Sequence, residues 1–467
     1  MTPHFTAADW GAVTPLFVLG ATGVIVLIAD LVAKAYVPRS IAIAIAVLGT
    51  LAAGVLCLQQ YGVHYNAFGS GFVVDETSVL FEAIVLLGVL GSVILYGALG
   101  DARHVAAAIA LMLWSASGAM LMAGAGSLMT IFLGLELLSL ALYTLCGIAD
   151  RASAREAALK YLLLSSTASG FLLFGMALLF GASGSVALAS LANPSFAGDT
   201  LYWIGFGLFF VGVTFKLSLV PFHTWAPDVY AGAPLPVTAF MSVVTKAGVL
   251  AVLIRIVYGA IAQPHAAAIL LPVWIVAGIS MIAGNVGMLA QHDLKRMLAY
   301  SGISQIGYVL AAVAGGTSLG FAAAIYYFAA YSFMNLGAFA VAALLSSDRE
   351  EGSVLANYAG LGYRRPWLAF AMSVFLLAMA GLPPTAGFLG KIFILRSSVA
   401  NGYAWLAALL VIGTAISLYA YGRIIRSMYS HEPHHAYDPR PSAPLAAISA
   451  AICAIVVIVL TFYPFVP

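Results

Sequence analysis

Four ionisable side chains stand in otherwise apolar runs: Glu136, Lys216, Lys246 and Lys391. At the centre of a membrane helix a Lys or Asp costs roughly 2.5 to 3.5 kcal/mol, so four unpaired groups approach about 10 kcal/mol. That rivals the whole stability of a typical protein, about 5 to 15 kcal/mol. Such groups persist where they pair, line water or perform chemistry. Lysine suits the handling of protons. Burial lowers the pKa of an amine from about 10.4 by several units and lets it release a proton near neutrality, which arginine cannot do. A nearby carboxylate favours the charged amine, so a change in the distance between Glu136 and a lysine would switch that lysine between holding and releasing its proton. Spacing alone does not say which of these residues are neighbours.

Structural roles compete with this chemistry. Glu136 could simply hydrogen-bond to an adjacent helix. Lys246 lies mid-span, beyond the reach of snorkelling, whereas Lys216 and Lys391 stand nearer the interfaces, each within seven residues of a proline break. His223, in Pro221-Phe-His-Thr-Trp225, adjoins one of those breaks and suits either a relay or a helix cap. Other chemistries find little support. No paired histidines lie in the apolar runs to hold a haem, and the cluster His431-Glu-Pro-His-His435 reads as a solvated turn rather than a metal site. Gly390-Lys391 is followed by Ile392, which is not a Walker loop, and no G-x-G-x-x-G opens a helix after a strand. Cys57, Cys146 and Cys453 fall in separate runs without C-x-x-C spacing, so three inert buried thiols are expected. No metal or cofactor is expected in this chain.

The elements that position these residues follow from composition. Of 467 residues, 63% are hydrophobic and 8% charged, with a mean hydropathy of +1.05, whereas soluble domains carry about a quarter charged residues. A net charge of +2 gives no basic patch for nucleic acid. Runs of roughly 18 or more apolar residues predict membrane spans. They fall at 11–33, 41–58, 78–99, 105–125, 128–148, 157–180, 201–224, 236–260, 267–290, 297–315, 318–345, 367–400, 404–425 and 444–466, about fourteen helices forming one transmembrane domain over 1–467. The first run exceeds a signal-peptide core and lacks a small-residue cleavage site, so it is expected to stay as the first helix. Prolines in Leu219-Val-Pro-Phe222 and Gly381-Leu-Pro-Pro384 predict two broken helices. Lys34, Arg39, Arg103, Arg151, Arg155, Lys160, Lys295, Arg296, Arg349, Arg364, Arg365, Arg423, Arg426 and Arg440 flank alternate loops, with Arg255 and Arg396 toward the other side. By the positive-inside rule both termini are expected outside the cytoplasm.

At the level of motifs, Phe215-Lys-Leu-Ser-Leu-Val-Pro-Phe-His-Thr-Trp-Ala-Pro-Asp-Val-Tyr230 and Gly232-Ala-Pro-Leu-Pro-Val-Thr-Ala-Phe240 resemble the central signature of the N subunits of bacterial respiratory complex I. Gly134-Leu-Glu-Leu-Leu-Ser-Leu140 with Tyr143, Asp293-Leu-Lys-Arg-Met-Leu-Ala-Tyr-Ser301 and Gly381-Leu-Pro-Pro-Thr-Ala-Gly-Phe-Leu-Gly-Lys391 agree with it. The resemblance implies an all-α antiporter-like fold: helices 1–3 over 11–99, two inverted five-helix repeats over 105–260 and 267–425, and a last helix at 444–466. It also implies a charge pair between Glu136 and Lys216, a continuation of buried polar groups through Lys246 and Lys391, and secondary polar positions at Lys160 and His223. Gln305 departs from the pattern where relatives carry histidine, so water or hydroxyls are expected to bridge there. The implied function is proton pumping within a NADH:quinone oxidoreductase whose other subunits hold flavin, iron–sulfur clusters and quinone, with other membrane subunits and the lipid bilayer as partners. A cation/proton antiporter subunit of the Mrp type, or a scaffold with inert charges, are the competing readings.

Overall fold

The chain is described by a computed structural model at residues 5–33, 36–100, 102–191, 198–261, 266–346, 353–430, 444–462 and 464. In chain order the helices are α1 (Ala7–Val32), α2 (Arg39–Gln59), α3 (Glu76–Leu99), α4 (Val105–Ala123), α5 (Leu128–Cys146), α6 (Ala152–Ser183), α7 (Leu188–Leu191), α8 (Thr200–Lys216), α9 (Trp225–Gly232) and α10 (Leu235–Phe240). They continue as α11 (Lys246–Ile261), α12 (Ala266–Leu289), α13 (Leu294–Val313), α14 (Ser318–Leu344), α15 (Leu361–Arg364), α16 (Pro366–Ala380), α17 (Ala386–Ala400), α18 (Ala404–Ser430) and α19 (Pro444–Phe462). A π-helical turn, Met241–Thr245, joins α10 to α11.

Eleven of the described helices, with Leu235–Ala260 taken as one, are long and apolar enough to cross a membrane. The protein is a multi-pass membrane protein. The remaining expected spans fall on helices that miss those limits. Prolines shorten two of them: α8 stops after 17 residues at Lys216, and α16 stops after 15 at Ala380. The 20-residue α13 carries Lys295, Arg296 and Gln305, which dilute its hydropathy.

Helix starts are set by short polar residues that accept an otherwise unpaired backbone N–H. Thr6 and Asp9 form a reciprocal capping box at α1. Ser127 caps α5, Asp199 α8, Asp293 α13, Thr317 α14 and Thr385 α17. Between α2 and α3, where only a loop was expected, an antiparallel hairpin pairs β1 (Tyr65–Ala67) with β2 (Phe72–Val74) in the register Tyr65↔Val74, Asn66↔Val73 and Ala67↔Phe72. Its turn runs through left-handed Phe68, Gly69 and Ser70, and the Phe68 N–H donates to Asp9 at 2.9 Å. Three-residue strands are too short to announce themselves by alternation.

Contacts divide the chain into two compact units, one of Met1–Val93, Gly100–Leu217 and Val243–Ile269, the other of Ile94–Leu99, Ser218–Ser242 and Leu270–Pro467. In the first, α4 packs on α1, α5 and α11, and α6 packs on α8. In the second, α14 is the hub for α13, α16, α17 and α19, while α16 also meets α18. Two of the charges have partners that the sequence does not name. Lys295, expected in a loop, is buried and donates to the Ala233 carbonyl at 2.9 Å. Arg255, expected near an interface, makes a two-armed pair with Asp75, both bonds 2.8 Å. Lys34, Arg349, Arg440 and the histidine cluster at 431–435 lie outside the described residues.

Candidate functional site

Lys216 and Lys391 are both buried within a few residues of a proline in the chain, and neutral oxygens hold the ammonium of each. In the first unit, Lys216 is the last residue of α8, where the negative end of the helix dipole favours a cation. Its Nζ donates to Ser139 Oγ on α5 at 2.7 Å and to Ser165 Oγ on α6 at 2.6 Å. The rings of Tyr143 and Tyr161 lie 5.7 and 5.1 Å from it, within the range of cation–π attraction. Tyr143 Oη donates to Ser165 Oγ at 2.7 Å, and Ser139 Oγ donates to the Leu135 carbonyl.

Glu136 precedes Ser139 by three residues on α5, so the two are neighbours on one helix face. It was expected to pair with Lys216. The direct partners of the ammonium are nevertheless hydroxyls, and Glu136 Oε1 is buried without a hydrogen-bond partner among the described residues. The residue as a whole is only half-buried.

Lys246 opens α11 directly after the π-helical turn and is 2% exposed. The next turn holds α11 against α4 so closely that a Cβ on Gly248 would lie 2.8 Å from the Ala119 carbonyl oxygen. Lys160 is different in kind. It projects from α6 half-exposed and pairs with Glu156 one turn away at 2.8 Å.

In the second unit, the chain between α16 and α17 turns through left-handed Gly381 and the cis Pro383–Pro384 bond. Lys391, 4% exposed on α17, donates from Nζ to the Ala380 carbonyl at 2.9 Å and to Thr414 Oγ1 on α18 at 3.1 Å. Ala380 ends α16, so a helix C-terminus again faces the ammonium. The Tyr308 ring lies 4.7 Å from Nζ, and Asn285 Nδ2 donates to Tyr308 Oη at 2.7 Å.

Gln305 is locked between three helices: Tyr327 Oη on α14 donates to its Oε1, and its Nε2 donates to the Met379 carbonyl of α16 at 3.2 Å. His223 lies in the segment between α8 and α9, with its ring centroid 6.4 Å from that of Tyr300 and its Nδ1 buried without a partner among the described residues. Close by in sequence, Arg296 pairs with Asp228 at 2.5 Å and ties the start of α13 to α9. No group of three or more His, Cys, Asp or Glu that could hold a metal occurs among the described residues.

Ser139 and Tyr143 stand out in the sequence only as part of a motif, and the hydroxyls of Ser165 and Thr414 and the rings of Tyr161 and Tyr308 gave no signal, because serine, threonine and tyrosine are common in membrane helices. A further buried acid was missed. Glu82, on α3, is 1% exposed, yet it follows Asp75 and Glu76 closely enough to read as part of an interfacial charge group.

Residues 125–417 match the family model described as NADH:quinone oxidoreductase/Mrp antiporter, TM. The chain belongs to this family. It is 40% identical over 451 residues to NADH-quinone oxidoreductase subunit N 1 of Symbiobacterium thermophilum, covering 93% of this chain and 91% of that one. It is 41% identical over 394 residues to NADH-quinone oxidoreductase subunit N of Trichlorobacter lovleyi, covering 82% and 80%. Among solved structures it is similar to a chain of respiratory complex I from Thermus thermophilus with bound aureothin, with a TM-score of 0.84, 32% identity and coverage of 96% and 97%. It shares its fold with a chain of the Mrp complex from Dietzia sp. DQ12-45-1b at a TM-score of 0.80 and 21% identity. The antiporter-like fold of this family is thus the fold of the present chain.

Proposed function

We propose that this chain is the proton-translocating, antiporter-like N subunit of a NADH:quinone oxidoreductase. Lys216, Lys246 and Lys391 bind and release the protons, Glu136 biases the charge of Lys216, and His223 and Lys160 act as secondary polar groups. Quinone reduction elsewhere in the complex drives the process. Flavin, iron–sulfur clusters and quinone belong to partner subunits, and this chain contributes no redox centre. The observation that carries the reading is the setting of Lys216 and Lys391: both are buried ammonium groups held by hydroxyl and carbonyl oxygens rather than by a carboxylate. A lysine locked in an ion pair holds its proton, whereas one held by neutral dipoles can give it up when a neighbouring charge changes.

We further propose two internal repeats, 105–260 and 267–425. Supporting them, α5 and α13 each begin at a capped residue bridged antiparallel to a segment about sixty residues onward, Ser127↔Ala187 and Asp293↔Val354. Each repeat also contains one helix interrupted at a proline-containing segment, between Lys216 and Trp225 and between Ala380 and Ala386. The location we propose is a bacterial inner membrane with both termini in the periplasm.

Co-purification tests the assignment. Tagged and extracted in mild detergent, the chain should bring down a large assembly with flavin and iron–sulfur signals. Recovery as a lone transporter that exchanges sodium for protons in vesicles would favour the Mrp-type reading instead.

A further inference from the structure

On α3 the first unit buries an acid that the foregoing mechanism does not use. Glu82 is 1% exposed, and its Oε2 is buried with no hydrogen-bond partner among the described residues. The charged and titratable groups acting on it are Cys57 from α2, Arg255 from α11 and Asp75 at the start of its own helix. Cys57 cannot neutralise a carboxylate; its thiol lies against Glu82 and donates to the Val79 carbonyl at 3.5 Å. Arg255 is already committed. Its two terminal nitrogens hold both oxygens of Asp75 at 2.8 Å, and its Nε donates to the Ala123 carbonyl at 2.9 Å. An ionised Glu82 would leave the cluster with one uncompensated negative charge in a buried setting, and buried carboxyls without a counter-ion take up a proton instead.

A cavity opens at the arginine of this cluster. Arg255 lines a cavity of about 310 Å³ together with Asn66, Ser70 and Tyr202. Asp75, Ser78 and Glu82 follow at i, i+3 and i+7, one face of α3, and Ser78 Oγ donates to the Asp75 carbonyl at 2.8 Å. Farther along, α3 meets the π-helical turn ahead of Lys246. A Cβ on Gly88 would lie 2.8 Å from Val244 and 3.1 Å from Val243. Ser92 Oγ and Thr245 Oγ1, one on α3 and one beside Lys246, are also buried without partners among the described residues. Buried polar atoms without a protein partner are positions that an ordered water can satisfy.

We propose that Glu82 is an additional proton-binding residue, loaded from the cavity at Arg255, on a branch that leads along α3 to Lys246. This rests on reading the chain as a proton translocator, and the experiment separates the two. In membrane vesicles containing the assembled complex, dicyclohexylcarbodiimide, which attacks protonated carboxyls in apolar surroundings, should modify the peptide bearing Glu82. The adduct should be absent from Glu82→Gln. That variant should retain NADH oxidation with an artificial acceptor but lose coupled proton translocation, and Glu82→Asp should restore it with a pH profile displaced to lower pH, since aspartate is the stronger acid.

Unimpaired translocation by Glu82→Gln, with or without an adduct on the wild type, overturns the proposal. If Glu82→Gln does not assemble, Glu82→Asp decides, and a pH profile identical to wild type overturns it. Loss of translocation in Lys246→Ala but not in Glu82→Gln removes this branch alone. Full translocation in both variants removes the function proposed for the chain.

Discussion

Lys216 and Ser165 are joined by a 2.6 Å hydrogen bond between α8 and α6, and Ser165 in turn accepts the Tyr143 hydroxyl at 2.7 Å. The lysine's proton is thereby placed at one end of a row of hydroxyls rather than against a carboxylate. Hydrogen bonds to a charged group contribute about 1.5 to 3 kcal/mol each. Ser165→Ala should therefore lower quinone-coupled proton translocation while the complex still assembles, and Ser139→Ala with Ser165→Ala should lower it further. Native gels and vesicle acidification would check this. Wild-type rates in the double variant would show that the hydroxyls are passive.

Gly381 and Gly402 share a left-handed φ of 82°, but a Cβ on Gly381 would lie 2.7 Å from Lys391 Cδ, whereas one on Gly402 meets nothing within 4 Å. Alanine at either position carries the same backbone strain, about 1 to 2 kcal/mol. Both variants should lower the melting temperature of the purified complex by a similar amount. Only Gly381→Ala should also reduce translocation, because it displaces the lysine. Equal effects on pumping would contradict the role assigned to Lys391.

Much of the architecture is legible in the sequence, and for physical reasons. Lys216, Lys246 and Lys391 stand out because a charge in a long apolar run demands an explanation, and the two breaks because proline ends a helix wherever it falls. Partners are not legible. That Lys216 meets Ser139 and Ser165 depends on how α5, α6 and α8 pack, which no spacing encodes. Lys295 looks like one more loop charge, yet it reaches back to the Ala233 carbonyl. Glu82 is hidden by Asp75 and Glu76, since an acid seven residues into a helix resembles its interfacial neighbours until its burial is seen.

Tyr308 offers Lys391 a ring face at 4.7 Å and also accepts a bond from Asn285. A desolvated cation–π contact is worth about 2 kcal/mol. If the ring matters, Tyr308→Phe should keep most of the coupled activity and Tyr308→Leu should lose it. If the hydroxyl carries the proton onward, the two variants should be equally impaired. The first pattern is expected, because Thr414, not Tyr308, is the hydroxyl bonded to Lys391. Coupled translocation at matched assembly levels would decide between them.

Buried lysines that work by giving up protons are the centre of the proposed mechanism, and Lys246, 2% exposed at the head of α11, tests it most directly. Lys246→Arg keeps a positive charge that cannot be released, since arginine's pKa exceeds about 12, while Lys246→Ala removes the charge. Assembly is first verified by native gel and by NADH oxidation with an artificial acceptor. Quinone-coupled proton translocation should then fall in both variants; near wild-type translocation by Lys246→Arg would mean that the lysine only balances charge and would contradict the proton-release mechanism.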